Sequence, residues 1–393
     1  MKQRYLTKPQ FKIELEKCLQ CKTKPCEKAC PVHCSPHDFI AAAKVDNIAD
    51  AAGIIAEQNP LGEVCGLICP DKFCMRVCVR ANLDAPIRIP QVQAEIMRQT
   101  RENKLFTPLP NVAANGKKIA VIGLGPSGIG AVAELIKHGF SVTVYERASD
   151  VGGALNLIPQ MRLPREIVAY EWQKLAQSPL VKTHFATKIT DFTALSNEFD
   201  AVIVTVGEQK SRTLGVEGEN LAADYTQYLQ NPAQFATNGH IAIVGGGAAA
   251  VDCATTAAEQ GATHVEMFVR RRLSDMRITD AERKLLLEKQ VDITTMTRPV
   301  KLEKTGDTLT IYTRKTQFDN EGKLVDVPNT ETARGGFAHI ILALGSTRAE
   351  DLLSVPNIFY AGDVISGSST AVEAIASGKS TARKAAQKFG FKV

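Results

Sequence analysis

The feature that most constrains the fold is a glycine-rich turn that occurs twice, each time after an apolar strand pattern and before a helical one. The two segments read KKIAVIGLGPSGIGAVAELIKHGFSVTVYER and HIAIVGGGAAAVDCATTAAEQGATHVEMFVRRR. A short apolar run, a turn of small residues, a helical period and a second strand are typical of a βαβ unit. Two such units predict an α/β chain with two Rossmann-like dinucleotide-binding domains.

The first turn carries the residues that a dinucleotide requires. Gly123, Gly125 and Gly128 form G-x-G-x-x-G, and the missing side chains let backbone amides approach a pyrophosphate at a helix N-terminus. Glu146 ends the next strand, where a carboxylate can accept hydrogen bonds from a ribose. A purely structural turn is the alternative, but the strand, helix and acid around the glycines favour a dinucleotide.

The second turn predicts a different ligand. Gly245, Gly247 and Ala250 form G-x-G-x-x-A, and the following strand ends in three arginines at 270–272 instead of an acid. Guanidinium groups suit a ribose 2′-phosphate, so this unit is expected to prefer NADP over NAD. The alternative is a solvated strand end. Two dinucleotide sites in one chain predict a tightly held flavin in one and an exchanging nicotinamide in the other.

Nine of the ten cysteines lie in the first 78 residues. They include two groups, Cys18-x2-Cys21-x4-Cys26-x3-Cys30-Pro31 and Cys65-x3-Cys69-x4-Cys74-x3-Cys78. The first group is close to the ferredoxin spacing, so eight thiolates predict two [4Fe–4S] clusters, with structural zinc as the alternative. Cys34 is interpreted as a bystander and Cys253 as a buried apolar residue.

The clusters also provide the exit for electrons. No C-x-x-C or C-x4-C pair follows Cys78, so a redox disulfide beside the flavin is not expected. Iron–sulfur clusters accept electrons singly, which fits a chain that converts a two-electron donor into single electrons. In the tail IFYAGDVISGSS, Asp363 precedes a helical pattern, where its carboxylate either lies beside the flavin or caps the helix.

Composition limits the partners. The net charge of +5 is spread without a basic block, which argues against nucleic acid. The charged N-terminus and the lack of a long apolar run predict a cytoplasmic location without a membrane span. The predicted domains are a helical domain with two [4Fe–4S] clusters at 1–110, an FAD-binding domain at 111–207 plus 335–393, and an NAD(P)H-binding domain at 208–334.

Together these motifs resemble the small (beta) subunit of NADPH-dependent glutamate synthase and the N-terminal electron-transfer half of dihydropyrimidine dehydrogenase, including its separate bacterial subunit. The resemblance extends nearly end to end, through NPLGEVCGLICP, DAPIRI, VIGLGPSG, IPQMRLP and FYAGDV. It implies an NAD(P)H-oxidising flavoprotein with FAD and two [4Fe–4S] clusters. Hydride would pass from NADPH to the flavin, and single electrons to a catalytic partner subunit in a hetero-oligomer, without a catalytic acid or base.

The resemblance also implies which residues hold each group. One cluster would have Cys18, Cys21, Cys26 and Cys78 as ligands. The other would have Cys30, Cys69, Cys74 and the side chain of Gln93, leaving Cys65 without iron. The FAD site would comprise Gly123, Gly125, Gly128, Glu146, Gly153, Arg162 and Asp363. The NADPH site would comprise Gly246, Gly247, Arg270 and Arg271.

Two other functions stay open at this point. One is a stand-alone NAD(P)H dehydrogenase that reduces ferredoxin, a quinone or a dye, and co-purification of a second subunit would separate it from the electron-transfer subunit. The other is a zinc-stabilised nucleotide-binding regulator without turnover, for which flavin absorbance and zinc content are decisive.

Overall fold

The computed structural model describes residues 4–105, 112–207, 210–347, 352 and 354–391. Its helices are α1 (Lys8–Glu16), α2 (Pro25–Lys28), α3 (Pro36–Lys44), α4 (Ile48–Gln58), α5 (Gly62–Ile68), α6 (Ile89–Glu102), α7 (Pro126–Lys137), α8 (Arg165–Ala176), α9 (Phe192–Ser196), α10 (Tyr225–Gln230), α11 (Ala248–Glu259), α12 (Asp280–Glu288), α13 (Asp363–Ser366) and α14 (Ala371–Lys388). Short 3-10 helices occur at Val79–Asn82, Gly153–Leu157, Glu219–Leu221, Pro232–Phe235 and Leu273–Asp275.

The strands alternate with helices after residue 112. They are β1 (Lys118–Ile122), β2 (Ser141–Tyr145), β3 (Val181–His184), β4 (Ala201–Val204), β5 (Lys210–Ser211), β6 (Ala223–Asp224), β7 (His240–Val244), β8 (His264–Val269), β9 (Asp292–Thr295), β10 (Thr297–Thr305), β11 (Thr308–Phe318), β12 (Leu324–Asp326), β13 (Thr332–Leu342), β14 (Ser346–Thr347) and β15 (Ile358–Tyr360).

The chain divides into two compact units. The first comprises 1–156, 160–209 and 348–393, and the second 157–159 and 210–347. The cysteine-rich helical part therefore shares a unit with the first parallel sheet, and the predicted boundary at 110/111 lies outside the described residues. The predicted boundary at 207/208 also adjoins residues that are not described, and the one at 334/335 falls inside β13. The three-domain division stays a prediction.

The first unit contains a parallel sheet with the strand order β15-β4-β1-β2-β3. The central strand β1 has the sequence KIAVI, and its last four residues are buried, as expected for an apolar strand covered on both faces. The strand order reverses between β1 and β4. Ligands of open α/β sheets bind at such a switch point, beyond the carboxyl ends of the strands.

The N-terminal helices of the first unit are fixed by polar groups at their ends. Thr7 and Gln10 form a capping box at the start of α1. The carboxylate of Glu171, on α8, accepts hydrogen bonds from the backbone N–H groups of Glu63 (2.8 Å) and Val64 (3.1 Å) at the start of α5. A carboxylate at a helix N-terminus satisfies donors that have no partner within the helix. Glu171 thus positions α5, which leads directly to Cys69.

The second unit contains a mixed sheet with the strand order β10-β11-β13-β7-β8-β9. Its parallel part joins β13, β7, β8 and β9, and the glycine-rich turn lies between β7 and α11. Strands β10, β11 and β13 form an antiparallel extension. The predicted α/β class, with two Rossmann-like units after a mainly helical N-terminal part, is confirmed. Within the described residues, no helix has the length and apolar character needed to cross a bilayer.

Candidate functional site

Four thiols from separate parts of the N-terminal region line one cavity. Cys18 and Cys21 lie after α1, Cys26 lies in α2, and Cys78 immediately precedes a 3-10 helix. These are the four residues that the resemblance groups as ligands of one cluster. Since four thiolates are the usual ligand set of a [4Fe–4S] cluster, the donor set fits one, and the ligand assignment itself stays a prediction.

The second cavity is lined by the other predicted set, Cys30, Cys69, Cys74 and Gln93. The amide nitrogen of Gln93 donates to the carbonyl oxygen of Gly62 at 2.7 Å, so its side-chain oxygen is the atom left to serve as a ligand. The Cys69–Cys74 spacing is one residue shorter than that of the family resembled, yet both thiols reach this cavity. The chemistry of this set also fits a [4Fe–4S] cluster.

The second cavity contains two thiols that the predicted ligand set does not use. Cys34 and Cys65 line it as well, and both are buried. Cys34 was interpreted as a bystander because it lies outside the spacing of the two cysteine groups. Spacing alone does not show that its side chain lies beside the other thiols. Pro36 and Ile89 line both cavities, so the two sites share a wall.

The predicted ligand thiols lie in partly buried surroundings that disfavour a charge. Burial raises the pKa of Cys26 to about 11 and that of Cys74 to about 12, with a further increase from neighbouring cysteines. Burial also raises the pKa of Cys30, against hydrogen bonds from the backbone N–H groups of residues 32–34. Bound iron offsets the cost of several buried thiolates, and N–H groups aimed at sulfur are suited to a ligand.

The described residues contain no group of three or more His, Cys, Asp or Glu side chains arranged to hold a single metal ion. The thiols instead surround a cavity in each set. All ten cysteines are free, and Cys253 is buried in α11, as predicted.

The first glycine-rich turn has the geometry that a bound pyrophosphate requires. Gly123 adopts φ +99°, and a Cβ at Gly128 would lie 2.1 Å from the carbonyl oxygen of Gly123, so neither position accepts a side chain. Gly125 is the N-cap of α7, and a Cβ there would meet no atom closer than 3.9 Å. The backbone amides at the start of α7 are therefore open to a ligand.

Glu146 is buried beside this turn. Its carboxylate accepts hydrogen bonds from the backbone N–H groups of Leu124 (2.6 Å) and Ala148 (2.8 Å). The acid predicted to bind a ribose therefore also holds the turn against the end of β2.

Gly153 and Asp363 lie close to the same turn. A Cβ at Gly153 would lie 3.0 Å from the Cα of Gly125, and Gly362, the N-cap of α13, lies against Ser127 of α7. Asp363 is the first residue of α13 and accepts a hydrogen bond from Ser369, so it is not the N-cap. Arg162 is half-buried ahead of α8. The positions of Gly153 and Asp363 are compatible with a flavin site, which stays a prediction for these residues.

The second turn lies at the end of β7. Gly247 is the N-cap of α11, and a Cβ there would meet nothing within 4 Å, whereas Gly246 lies against Val269. The turn thus leaves the helix N-terminus of the second unit accessible to a phosphate.

An arginine cluster adjoins the second turn. Burial and the positive charges of Arg271, Arg212, Arg298 and Arg277 lower the pKa of Arg270, which marks a site that favours an anion. Among the described residues, no carboxylate pairs with Arg270 or Arg271. Arg272 lies over the ring of Phe318 at 4.8 Å, and stacking gives it a separate role.

Arg277 was missed by the sequence interpretation. It forms a bridge with Gly247 through the backbone, so its chain lies beside the turn.

These features define a two-dinucleotide oxidoreductase with a thiol-rich N-terminal part, and the comparisons agree. Residues 117–378 match the family described as pyridine nucleotide-disulphide oxidoreductase. Residues 1–105 match the family described as dihydropyrimidine dehydrogenase domain II, 4Fe-4S cluster. The chain belongs to the pyridine nucleotide-disulphide oxidoreductase family, in the branch that carries this iron–sulfur domain.

Relatives resemble the chain over nearly its whole length. It is 30% identical over 384 residues to the NAD-dependent dihydropyrimidine dehydrogenase subunit PreT of Escherichia coli K12, covering 94% of this chain and 92% of that protein. It is 26% identical over 427 residues to the glutamate synthase [NADPH] small chain of the same organism, covering 95% and 90%. Mycobacterium tuberculosis FprA in complex with NADPH shares the fold, with a TM-score of 0.58 and 16% identity over 70% of this chain and 84% of that one.

The expectation of an NAD(P)H-dependent oxidoreductase with FAD and 4Fe-4S clusters is confirmed by these matches. The electron-transfer flavoprotein class is confirmed with it.

Proposed function

We propose that the chain oxidises NADPH and delivers single electrons to a catalytic partner subunit of the dihydropyrimidine dehydrogenase type. The observation that carries the proposal is the pair of adjoining thiol-lined cavities in the same compact unit as the first glycine-rich turn. When bound, a flavin and iron–sulfur clusters supply the conversion of hydride into single electrons. The chain's own residues bind and orient these groups.

The choice of partner rests on the relatives. PreT is named as a subunit of an NAD-dependent dihydropyrimidine dehydrogenase, and the glutamate synthase small chain is likewise part of a larger enzyme. This chain matches both over most of their length. We infer that it, too, acts in a hetero-oligomer, with substrate chemistry on the other polypeptide.

The preference for NADPH rests on the arginine cluster. Arg270 and Arg271 carry charges that no carboxylate of the described residues neutralises, and a ribose 2′-phosphate is the anion that distinguishes NADPH from NADH. The proposed preference for NADPH differs from the NAD dependence that the name of the PreT subunit states.

The order of the two clusters follows from their neighbours. Val372, in the first turn of α14, lines the second cavity, and α14 follows the segment of Asp363 in the predicted flavin site. Among the residues that the structure describes, those lining the first cavity all lie between Cys18 and Ile89. This supports the second set as the one on the flavin side and the first set as the one that faces a partner.

The test is an anaerobic titration of the purified holoprotein, followed by visible absorbance. We expect flavin bands over a broad iron–sulfur absorbance, and a lower half-saturating concentration for NADPH than for NADH in flavin bleaching. Arg271→Gln should raise the half-saturating NADPH concentration about tenfold, because one charge-assisted hydrogen bond contributes about 1.5 kcal/mol. Its matched control Arg272→Gln should not, since that guanidinium stacks on Phe318.

Three outcomes would contradict the proposal. Flavin bands without iron–sulfur absorbance would leave a simple reductase. A colourless protein with stoichiometric zinc would favour the nucleotide-binding regulator. Equal half-saturating concentrations of NADPH and NADH in both wild type and Arg271→Gln would refute the role of the arginines in selecting NADPH. The other parts of the proposal would stand.

A further inference from the structure

The second cavity contains more sulfur than its predicted ligand set uses. Cys65 lines this cavity together with Cys30, Cys69 and Cys74, and its side chain is 1% exposed. Cys65 lies in α5, and Cys69 is the C-cap of that helix. The thiol is therefore closed to solvent and beside the cavity at the same time.

Cys65 contacts a predicted ligand directly. Residues four apart share one face of a helix, and the backbone N–H of Cys69 donates to the carbonyl of Cys65 at 2.9 Å. Both side chains also line the second cavity. A metal-bound Cys69 is a thiolate, which can only accept, so a hydrogen bond between the two sulfurs of the iron-loaded protein requires the S–H of Cys65 as donor.

The predicted ligand set is complete without Cys65. Gln93 is anchored to Gly62 of α5 through its amide nitrogen, which leaves its oxygen as the fourth ligand beside Cys30, Cys69 and Cys74. Cys65 is then a thiol outside the ligand set, and its role at this cavity is that of a neighbour that adjusts the charge on a ligand.

We propose that Cys65 is a positioning residue for the second cluster, donating an S–H hydrogen bond to the sulfur of Cys69 and raising the reduction potential there. Reduction adds negative charge to a cluster and its thiolates, and hydrogen bonds to the sulfurs stabilise that charge. The inference rests on the proposed function, because it requires a cluster in the second cavity.

The test compares the Cys65→Ala and Cys65→Ser holoproteins with wild type by iron analysis and by redox titration followed by EPR. The signal of the second cluster is identified by its change in the Gln93→Cys variant. We expect full iron content in both variants. Cys65→Ala should lower the midpoint potential by about 20 to 60 mV, a two- to tenfold change at about 59 mV per tenfold for one electron.

The serine variant and a matched control separate hydrogen bonding from packing. A serine hydroxyl also donates, so Cys65→Ser should retain most of the wild-type potential. Cys34→Ala removes another buried thiol from the same cavity, one that lies between α2 and α3 and not on the helix that leads to Cys69, and should leave the potential unchanged.

Loss of iron from the second site in both Cys65 variants would overturn the proposal, because Cys65 would then be a ligand. Full iron with an unchanged potential in Cys65→Ala would also overturn it, and Cys65 would only fill space. Absence of iron from the wild-type protein would instead refute the proposed function, so the two failures are distinguishable.

Discussion

Glu171 shows how much depends on one buried side chain. It is 1% exposed, and it accepts hydrogen bonds from two backbone N–H groups at the start of α5, with Lys174 at 3.8 Å. Burial raises its pKa from 4.5 to about 7, against the lowering effects of Lys174 and the two N–H groups. Its charge is therefore costly at neutral pH, although α5 depends on it for its N-terminal cap.

The raised pKa predicts a stability that falls as pH rises. The folded protein binds this proton more tightly than the unfolded chain, so the contribution is fully present below about pH 4.5 and is lost as pH rises through about 7. Glu171→Gln should flatten the change in unfolding free energy between pH 4.5 and 8, measured by denaturant titration. Glu166→Gln, an exposed change on the same helix, is the control, and an equal slope in both variants would contradict the assignment.

The packing of whole helices depends on glycine as well. Two glycines let α14 lie directly against α7, the helix that begins at the first glycine-rich turn. A Cβ at Gly378 would lie 1.9 Å from the carbonyl oxygen of Ser127, and a Cβ at Gly130 would lie 2.5 Å from that of Ile375. The start of α14 is fixed by a capping box between Thr370 and Glu373. This packing sets the position of the first turn of α14, which reaches the second cavity.

Gly378→Ala should force the two helices apart and destabilise the protein by about 1–3 kcal/mol. The matched control is Gly53→Ala, in the interior of α4, where a Cβ would meet nothing within 4 Å. That change should be neutral or stabilising by about 0.5–1 kcal/mol, because alanine is the better helix former. Thermal unfolding of the two variants measures the contrast, and similar melting temperatures would refute the close-packing argument.

The stability of the whole molecule depends on the cysteine-rich region, where metal binding and folding are coupled. Between Cys69 and Pro86 no described residue is buried, and the regular structure there is one 3-10 helix at Val79–Asn82. The segment carries three predicted ligands but little apolar core. Iron bound to those thiols would stabilise the folded conformation of this segment, which buries too little apolar surface to be stable by itself, as in other small metal-binding regions.

Removal of iron should therefore expose this segment before any other part of the described chain. Limited trypsin digestion of the anaerobic holoprotein and of protein treated with an oxidant and chelator, read by mass spectrometry, is the measurement. We expect first cuts after Lys72, Arg76 or Arg80 in the iron-free protein, at least tenfold faster than in the holoprotein. First cuts within 112–207, or equal rates, would show that the metal does not stabilise this region.

Local signals in the sequence were sufficient for the glycine-rich turns. Gly123 and Gly128 are required by a backbone conformation and a close approach that involve only neighbouring segments, so strand, turn and helix could be predicted together. Arg277 was missed because its place beside Gly247 results from a bridge between separate segments. Glu171 was missed for the same reason, since it caps a helix more than a hundred positions earlier in the chain.

The sequence by itself determined the α/β class, the two dinucleotide turns and the crowding of cysteines, because each depends on residue types at fixed spacing within one segment. Spacing could not decide which thiols share a cavity; the resemblance implied an interleaved arrangement, and only the tertiary structure gives its physical cause. Grouped by spacing alone, Cys30 belongs with Cys18 and Cys78 with Cys65, yet Cys78 lines the first cavity and Cys30 the second. Such an exchange depends on how the helices between the two groups pack, and packing depends on buried surfaces from the whole chain rather than on local spacing.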